Sequence, residues 1–125
     1  MKAVLGFLAG LLISLNVLAD ATVVTQQAFL EWQKSDKKFL LLDTRSPEEF
    51  AAGHIQGAVN IEFNRIAENM DKLIAHKDKV IVVYCRSGRR AGIAERYLEE
   101  QGFNGLHHLQ GDILGWNKAG LPLVK

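Results

Sequence analysis

Cysteine is scarce in this sequence, since Cys85 is the only one among 125 residues. A single cysteine excludes an internal disulfide, and it leaves no second thiol in the chain for a dithiol oxidoreductase. A lone thiol is either an inert part of the core or a free, reactive group. The residues around Cys85 therefore decide between a structural and a chemical role.

Proline and net charge are also low, with two prolines and a formal net charge of +1. This composition is unlike that of collagen or of a disordered chain. No excess of positive charge favours nucleic acid or an anionic membrane surface as a partner. The length and the 48% hydrophobic content are typical of one globular domain. Any electrostatic contribution to function must then be local.

Acidic side chains are absent from the first 19 residues, where Lys2 is the only charged residue. Residues 3–19 are apolar and end in small side chains before Asp20, which is typical of a secretory signal peptide. We predict cleavage between Ala19 and Asp20, which leaves an exported domain of residues 20–125 with no stable membrane association. The alternative is an uncleaved membrane anchor, for which the uncharged run is of marginal length.

The rest of the chain alternates apolar runs typical of buried strands with segments of helical spacing. This order predicts a single α/β domain with a largely parallel central sheet flanked by helices. The predicted strands are residues 39–42, 80–84 and 106–109. The predicted helices are residues 25–34, 46–52, 62–75, 89–101 and 112–118. Ligands bind at the carboxyl ends of parallel strands, and Cys85 follows such a strand directly.

The segment around Cys85 combines a nucleophile with positive charge. The thiolate is the reactive form of cysteine, and cations and helix N-termini favour it. A loop that leads into a helix directs backbone N–H groups at its centre, and Gly88 allows a tight turn there. Arg86, Arg89 and Arg90 follow closely, although any one of them could face solvent or pair with a glutamate of the following helix. A cysteine that only fills the core is not expected beside three arginines.

Three ordered segments, and a closing segment near the end of the chain, resemble the signature motifs of the rhodanese family. Residues 85–91 resemble the active-site loop C-x-x-G-x-R-[AS]. Residues 43–50 resemble D-x-R-x-x-x-E-[FY], and residues 53–60 resemble G-H-I-x-G-A-x-N. Residues 111–122 resemble the closing G-G-x-x-x-W and A-G-L-P pattern, with Gln110 as a departure where the first glycine of the pair is usual. The chain is also similar to short exported rhodaneses of the phage-shock-protein-E type, which implies a Gram-negative periplasm.

The resemblance implies a thiosulfate sulfurtransferase. Cys85 would be the catalytic residue, taking sulfur from a small anionic donor, holding it as a persulfide and passing it to a thiophilic acceptor. The resemblance requires no metal and no organic cofactor, and it leaves a protein acceptor open. The residues implied to bind the substrate are Arg86, Ser87, Gly88, Arg89 and Arg90.

Other polar residues receive structural interpretations. Asp43 and Arg45 are expected to lock the loop after their strand, with a direct role at the site as the alternative. His54 is expected to pack and hydrogen-bond within its own turn rather than to act as a general base. His107 and His108 are adjacent on a predicted strand, so they should point to opposite faces, which disfavours a shared metal site.

The enzymatic alternative is a cysteine phosphatase or an arsenate reductase. These enzymes have C-x5-R loops, in which the cysteine is often preceded by histidine. Here the sixth residue after Cys85 is Ala91, and Tyr84 precedes the cysteine. The shorter loop suits one sulfur atom better than a tetrahedral oxyanion. Two further alternatives are a persulfide carrier for a partner protein and a rhodanese-like binding module, although the retained cysteine and arginines disfavour the module.

Overall fold

The computed structural model describes residues 21–125, so the predicted signal peptide lies outside the described residues. Five parallel strands form one sheet with the order β1-β5-β4-β2-β3. The strands are β1 (Thr22–Val24), β2 (Leu40–Asp43), β3 (Val59–Asn60), β4 (Ile81–Tyr84) and β5 (Leu106–Leu109). The predicted α/β domain with its parallel sheet is confirmed. The two strands that the sequence did not predict, β1 and β3, are the short edge strands.

Helices connect the strands, and local signals set their starts. The α-helices of the described residues are α1 (Gln26–Lys34), α2 (Pro47–Ala52), α3 (Met70–Leu73), α4 (Arg89–Glu100) and α5 (Asp112–Lys118). Thr25 caps α1 by accepting the Ala28 N–H, and Ser46 with Glu49 forms a capping box at α2. None of the helices in residues 21–125 is long and apolar enough to cross a membrane.

The expectation of one continuous helix over residues 62–75 is wrong. This segment contains three 3₁₀ turns, at Phe63–Arg65, Ala67–Asn69 and Ile74–His76, around the single turn of α3. The Asn69 side chain donates to the carbonyl of Arg65, which an α-helix would reserve for the backbone N–H of Asn69. That N–H bonds instead to Ile66, three residues back. A side chain that competes for the backbone in this way breaks the helical ladder.

Strand β4 lies between two hydrophobic cores, one on each face of the sheet. Because strand side chains alternate, Ile81, Val83 and Cys85 belong to one core, while Val82 and Tyr84 belong to the other. Burial on both faces explains why the parallel strands appear in the sequence as continuous apolar runs. The core that contains Cys85 is the one that also contains the buried side chains of α4. The fold thus places the thiol beneath the start of α4.

Candidate active site

The Cys85 side chain is hydrogen-bonded by its own loop. The residue is 1% exposed, and its Sγ accepts the N–H of Gly88 at 3.0 Å. Gly88 is the N-cap of α4 and has φ 117°, a left-handed conformation that favours glycine. A Cβ at this position would lie 3.3 Å from the Asp112 carboxylate. Gly88 is therefore suited by both conformation and space to the turn that directs its N–H at the sulfur.

Backbone hydrogen bonds from two other segments fix the ends of this loop. The Tyr84 carbonyl accepts both the N–H and the hydroxyl of Thr44, at 2.9 and 3.0 Å. The Cys85 carbonyl accepts the N–H of Ile113 at 3.0 Å, and the Arg86 carbonyl accepts that of Leu114 at 3.2 Å. The first turn of α5 and the end of β2 therefore hold the nucleophile in place. This role of Thr44 was not predicted from the sequence.

The three arginines of the loop are not equivalent. Arg86 and Arg89 are exposed and form no ion pair with any residue in the described range. Arg90 instead donates to both carboxylate oxygens of Glu49, at 2.7 and 3.0 Å. These hydrogen bonds lower the pKa of Glu49 to about 2. Ser87 is exposed beside Arg86. The side chains of Arg86 and Arg89 therefore face solvent, whereas Arg90 binds the loop to α2 through Glu49.

Glu49 belongs to the capping box of α2, and it also holds the cysteine loop. Its Oε1 accepts the Ser46 N–H at 3.0 Å and also accepts the nearer hydrogen bond from Arg90. The arginine that pairs with a glutamate therefore finds its partner in α2 and not in the helix that follows the loop. The signal was present in the sequence, because Glu49 is the glutamate of the motif at residues 43–50.

Asp43 and Arg45 form the lock that the sequence predicts. Asp43 is fully buried, and its Oδ1 accepts the backbone N–H of Arg45 at 2.9 Å, while its Oδ2 accepts the guanidinium at 2.7 Å. The same guanidinium donates to the carbonyl of Gly53 at 2.8 Å. These bonds join the last residue of β2 to the segment that follows it. The pair therefore shapes the loop that carries α2.

His54 also occupies the structural role expected of it. Its ring stacks on Phe50, with centroids 3.6 Å apart, and its Nδ1 lies 2.9 Å from the Phe50 carbonyl oxygen. Its backbone pairs in both directions with Val124, near the end of the chain. These contacts bind the turn after α2 to the C-terminal segment.

His107 and His108 project from opposite faces of β5, as predicted. His107 lies edge-on to Trp32 and bonds to the carbonyl of Gly105. His108 lies on the other face, between two carboxylates. In the described residues, no group of three His, Cys, Asp or Glu side chains is arranged to hold a metal ion.

A polar chain that was not predicted from the sequence ends at the nucleophile. Glu95 Oε2 lies 2.6 Å from His108 Nδ1, and His108 Nε2 lies 3.0 Å from Asp112 Oδ2. Asp112 Oδ1 then accepts the backbone N–H of Cys85 at 3.0 Å. The hydrogen bonds to Asp112 and to Glu95 raise the pKa of His108 to about 10, against the opposing effect of burial. His108 is therefore an imidazolium at neutral pH.

The backbone at Asp112 identifies the real departure from the closing motif. That motif places its second glycine four residues before its tryptophan. If Trp116 is that tryptophan, the second glycine corresponds to position 112. Asp112 has φ 54° and is the only non-glycine residue of positive φ within residues 21–125. It keeps the conformation of a glycine while adding a carboxylate. Gly111 is then the first glycine, and the departure expected at Gln110 belongs to Asp112.

Comparisons with known proteins identify the family of this domain. The rhodanese-like domain model matches residues 25–119. A sulfurtransferase from Allochromatium vinosum is 40% identical over 85 residues, which cover 68% of this chain and 78% of the relative. An uncharacterized protein from Synechocystis is 36% identical over 96 residues, or 77% of this chain and 52% of the relative. The chain thus spans about half the length of the Synechocystis protein.

Solved structures give the same fold. A thiosulfate sulfurtransferase from Pseudomonas aeruginosa has a TM-score of 0.75 at 26% identity, covering 83% of this chain and 20% of that one. A protein of unknown function from Rhodopseudomonas palustris, described as a possible tyrosine phosphatase, has a TM-score of 0.74 at 25% identity, covering 83% and 85%. On the match of the domain model to residues 25–119, with motifs in the order of the family, this chain belongs to the rhodanese family.

Proposed function

We propose that this protein is a sulfurtransferase that carries sulfur as a persulfide on Cys85. The observation that supports this most directly is the hydrogen bond from the Gly88 N–H to the Cys85 Sγ, at 3.0 Å. A donor already aimed at the sulfur stabilises negative charge there without rearrangement, as in an oxyanion hole. The relatives named sulfurtransferases support transfer of sulfur in general. The choice of donor and acceptor is our proposal.

The first half-reaction would load the thiol. The Cys85 thiolate attacks the outer sulfur of thiosulfate, and a new S–S bond forms. The original S–S bond of thiosulfate breaks, and its electron pair leaves with sulfite. The outer sulfur now carries the negative charge of a persulfide. We expect the Gly88 N–H, which already donates to the Cys85 Sγ, and the N-terminus of α4 to stabilise this charge.

The second half-reaction would unload it. A thiophilic acceptor such as cyanide attacks the terminal sulfur, and thiocyanate leaves while the electron pair of the S–S bond returns to Cys85 as thiolate. No net oxidation or reduction of the enzyme occurs, so no cofactor is needed for this cycle. The enzyme alternates between the free thiolate and the persulfide, and sulfite leaves before the acceptor binds. We therefore expect ping-pong kinetics. A small molecule and the nucleophile of a partner protein are equivalent acceptors in this scheme.

Arg86 and Arg89 would attract the anionic donor. Both are exposed beside the loop and are not engaged by carboxylates of the described residues, so their charge is available to a ligand. Their attraction should be screened by salt, because exposed charges interact through water. Arg90 would act differently, since its guanidinium is held by Glu49.

A phosphatase is the second candidate, favoured by the description of the Rhodopseudomonas neighbour. A cysteine phosphatase needs an arginine that faces the oxyanion and an acid that protonates the leaving group. Arg90 is instead bound to Glu49, and Asp43 is bound to Arg45. Only four residues separate Cys85 from Arg90, which leaves little room for a tetrahedral phosphate. These engagements favour sulfur transfer.

One assay distinguishes the two candidates. The unmodified protein is given thiosulfate with cyanide, and separately an aryl phosphate, with Cys85→Ser as the blank for both. We expect thiocyanate formation that depends on Cys85 and negligible release of phosphate. Phosphatase activity that depends on Cys85 and exceeds sulfur transfer would contradict the proposed function.

We also propose that the domain is exported to the periplasm of a Gram-negative cell. This proposal is supported by the apolar character of residues 3–19 and by the small residues before Asp20. In that compartment a single cysteine has no internal partner with which to form a disulfide. Cys85 would stay available as a free thiol or a persulfide.

A further inference from the structure

A continuous polar chain runs from the inner face of α4 to the backbone of the nucleophile. It passes from Glu95 through His108 to Asp112, and from Asp112 to the Cys85 N–H, with distances of 2.6, 3.0 and 3.0 Å. Glu95 and Asp112 are buried, and the His108 side chain is 19% exposed. Buried charges at this depth are costly unless they are paired and hydrogen-bonded. Each member of the chain is paired with the next.

Backbone bonds hold the carbonyl groups of the loop, and Asp112 accepts the buried N–H of Cys85. The carbonyls of Cys85 and Arg86 are already bonded by the N–H groups of Ile113 and Leu114. A glycine at position 112 would adopt the observed φ of 54° without strain. Asp112 carries a carboxylate in this conformation instead, directly beneath Gly88. The carboxylate therefore gives the Cys85 N–H a charged acceptor that a glycine at this position would not provide.

A carboxylate at this place has an electrostatic consequence. Asp112 accepts the N–H of the residue whose sulfur must bear negative charge, and like charges disfavour each other at short range. The His108 imidazolium offsets that repulsion, and Glu95 on its other side keeps His108 protonated. Asp112 can then hold the Cys85 N–H with a charged acceptor, at little net cost to the thiolate.

We infer that Asp112 and His108 are positioning residues, which fix the Cys85 backbone with a carboxylate and cancel its charge with an imidazolium. The inference rests on the proposed role of Cys85 as a reactive thiolate. Neither residue touches the substrate in this account. Both act through Cys85: the Asp112 carboxylate disfavours negative charge on the sulfur, and the His108 imidazolium favours it.

Charged groups other than its two carboxylate partners also lie near His108. On the α4 side, Glu95, Arg96 and Glu99 line a cavity of about 270 Å³ beside it. On the β1 side the lining residues are Ala21 and Val23, which are uncharged. Asp112 lies on the loop side. Nearer the sulfur, Arg90 interacts electrostatically with Cys85, and Arg86 and Arg89 lie in the same loop, but these three cations are the same in every variant of the test below.

The test is the pH at which the Cys85 thiolate forms, measured by its ultraviolet absorbance with Cys85→Ser as the blank. Asp112→Asn keeps an acceptor and tolerates positive φ, but removes the negative charge, so the midpoint should fall. His108→Gln keeps an amide donor but removes the positive charge, so the midpoint should rise. We expect each shift to be about one pH unit. His107→Gln, on the opposite face of β5, is the matched control and should not move it.

Opposite shifts in the two variants support the inference, because a purely structural disturbance would not reverse its sign with the charge removed. Unchanged midpoints, or shifts in the same direction, overturn it. If one variant does not fold, the shift of the other relative to His107→Gln decides. This titration requires no sulfur donor, so opposite shifts in a protein that transfers no sulfur would overturn the proposed function and leave the inference intact.

Discussion

Glu49 and Arg90 lie 41 residues apart in the sequence and are joined by two hydrogen bonds, of 2.7 and 3.0 Å. Glu49 belongs to the capping box that starts α2, and Arg90 lies in the first turn of the helix that follows the cysteine loop. One carboxylate therefore serves a helix cap and the active-site loop together. Neither side chain is more than one-third exposed, so water screens the pair only in part.

Breaking this pair should disturb the loop and lower stability. Arg90→Ala leaves the Glu49 carboxylate with fewer donors, and we expect a loss of about 1.5–3 kcal/mol in the free energy of unfolding. The rate of sulfur transfer should fall whether thiosulfate or cyanide is the limiting substrate, because both half-reactions depend on the shape of the loop. Urea unfolding and steady-state kinetics measure the two effects. Arg65→Ala, which breaks the exposed ion pair with Glu68, is the control. An Arg90→Ala variant that is as active as this control would contradict the structural role of Arg90.

The two exposed arginines should affect capture of the donor more than transfer to the acceptor. Arg86→Gln and Arg89→Gln each remove a cation beside the loop, so the KM for thiosulfate should rise several-fold. Raising the ionic strength should weaken donor capture in the unmodified protein and have a smaller effect in the double variant. Lys34→Gln, at the end of α1, removes an exposed cation elsewhere. Donor kinetics that are unchanged in both arginine variants would return these residues to an ordinary solvated surface.

His108 should make the free energy of unfolding decrease as the pH becomes alkaline. Its pKa is raised from 6.5 to about 10 in the folded state, so folding favours the proton. This contribution is complete below pH 6.5 and is lost as pH rises toward 10. Urea midpoints of the unmodified protein should therefore decline across this range more than those of His108→Gln. Equal declines in the two proteins, with His107→Gln as reference, would show that His108 gains no proton affinity on folding.

Much of the fold could be predicted because its signals are local. The apolar runs that became β2, β4 and β5 reflect burial on both faces, and Ser46 with Glu49 marks the start of α2. The edge strands β1 and β3 have two or three residues each, too few to show a period. The helix expected over residues 62–75 failed because its apolar spacing does not reveal that Asn69 competes for the backbone.

The site was predicted in part for the same reason. Cys85 and Gly88 are recognisable in one short segment, whereas the bonds from Asp112 and Glu49 join residues 27 and 41 positions apart. Only the tertiary fold brings such pairs together. The one available signal for Asp112 was its place in a motif where glycine is usual, and counting back from Trp116 reveals it.

Export makes a prediction about the N-terminus of the mature protein. Expressed with its full sequence in a Gram-negative host, the protein should be released with the periplasmic fraction. Its N-terminal residue should be Asp20, because the small residue Ala19 precedes the predicted cleavage site. N-terminal sequencing of the periplasmic material measures this. Recovery of the intact chain, beginning at Met1, from the membrane fraction would instead establish the anchor.

The central claim is that Cys85 itself holds the transferred sulfur. The most direct measurement is the intact mass of the protein after brief treatment with thiosulfate and removal of the excess. We predict a gain of one sulfur atom, located at Cys85 by peptide mapping, which is lost on addition of cyanide with stoichiometric formation of thiocyanate. Cys85→Ser should gain nothing. Thiocyanate formation by a protein that never gains this mass, or by the Cys85→Ser variant, would contradict the persulfide mechanism.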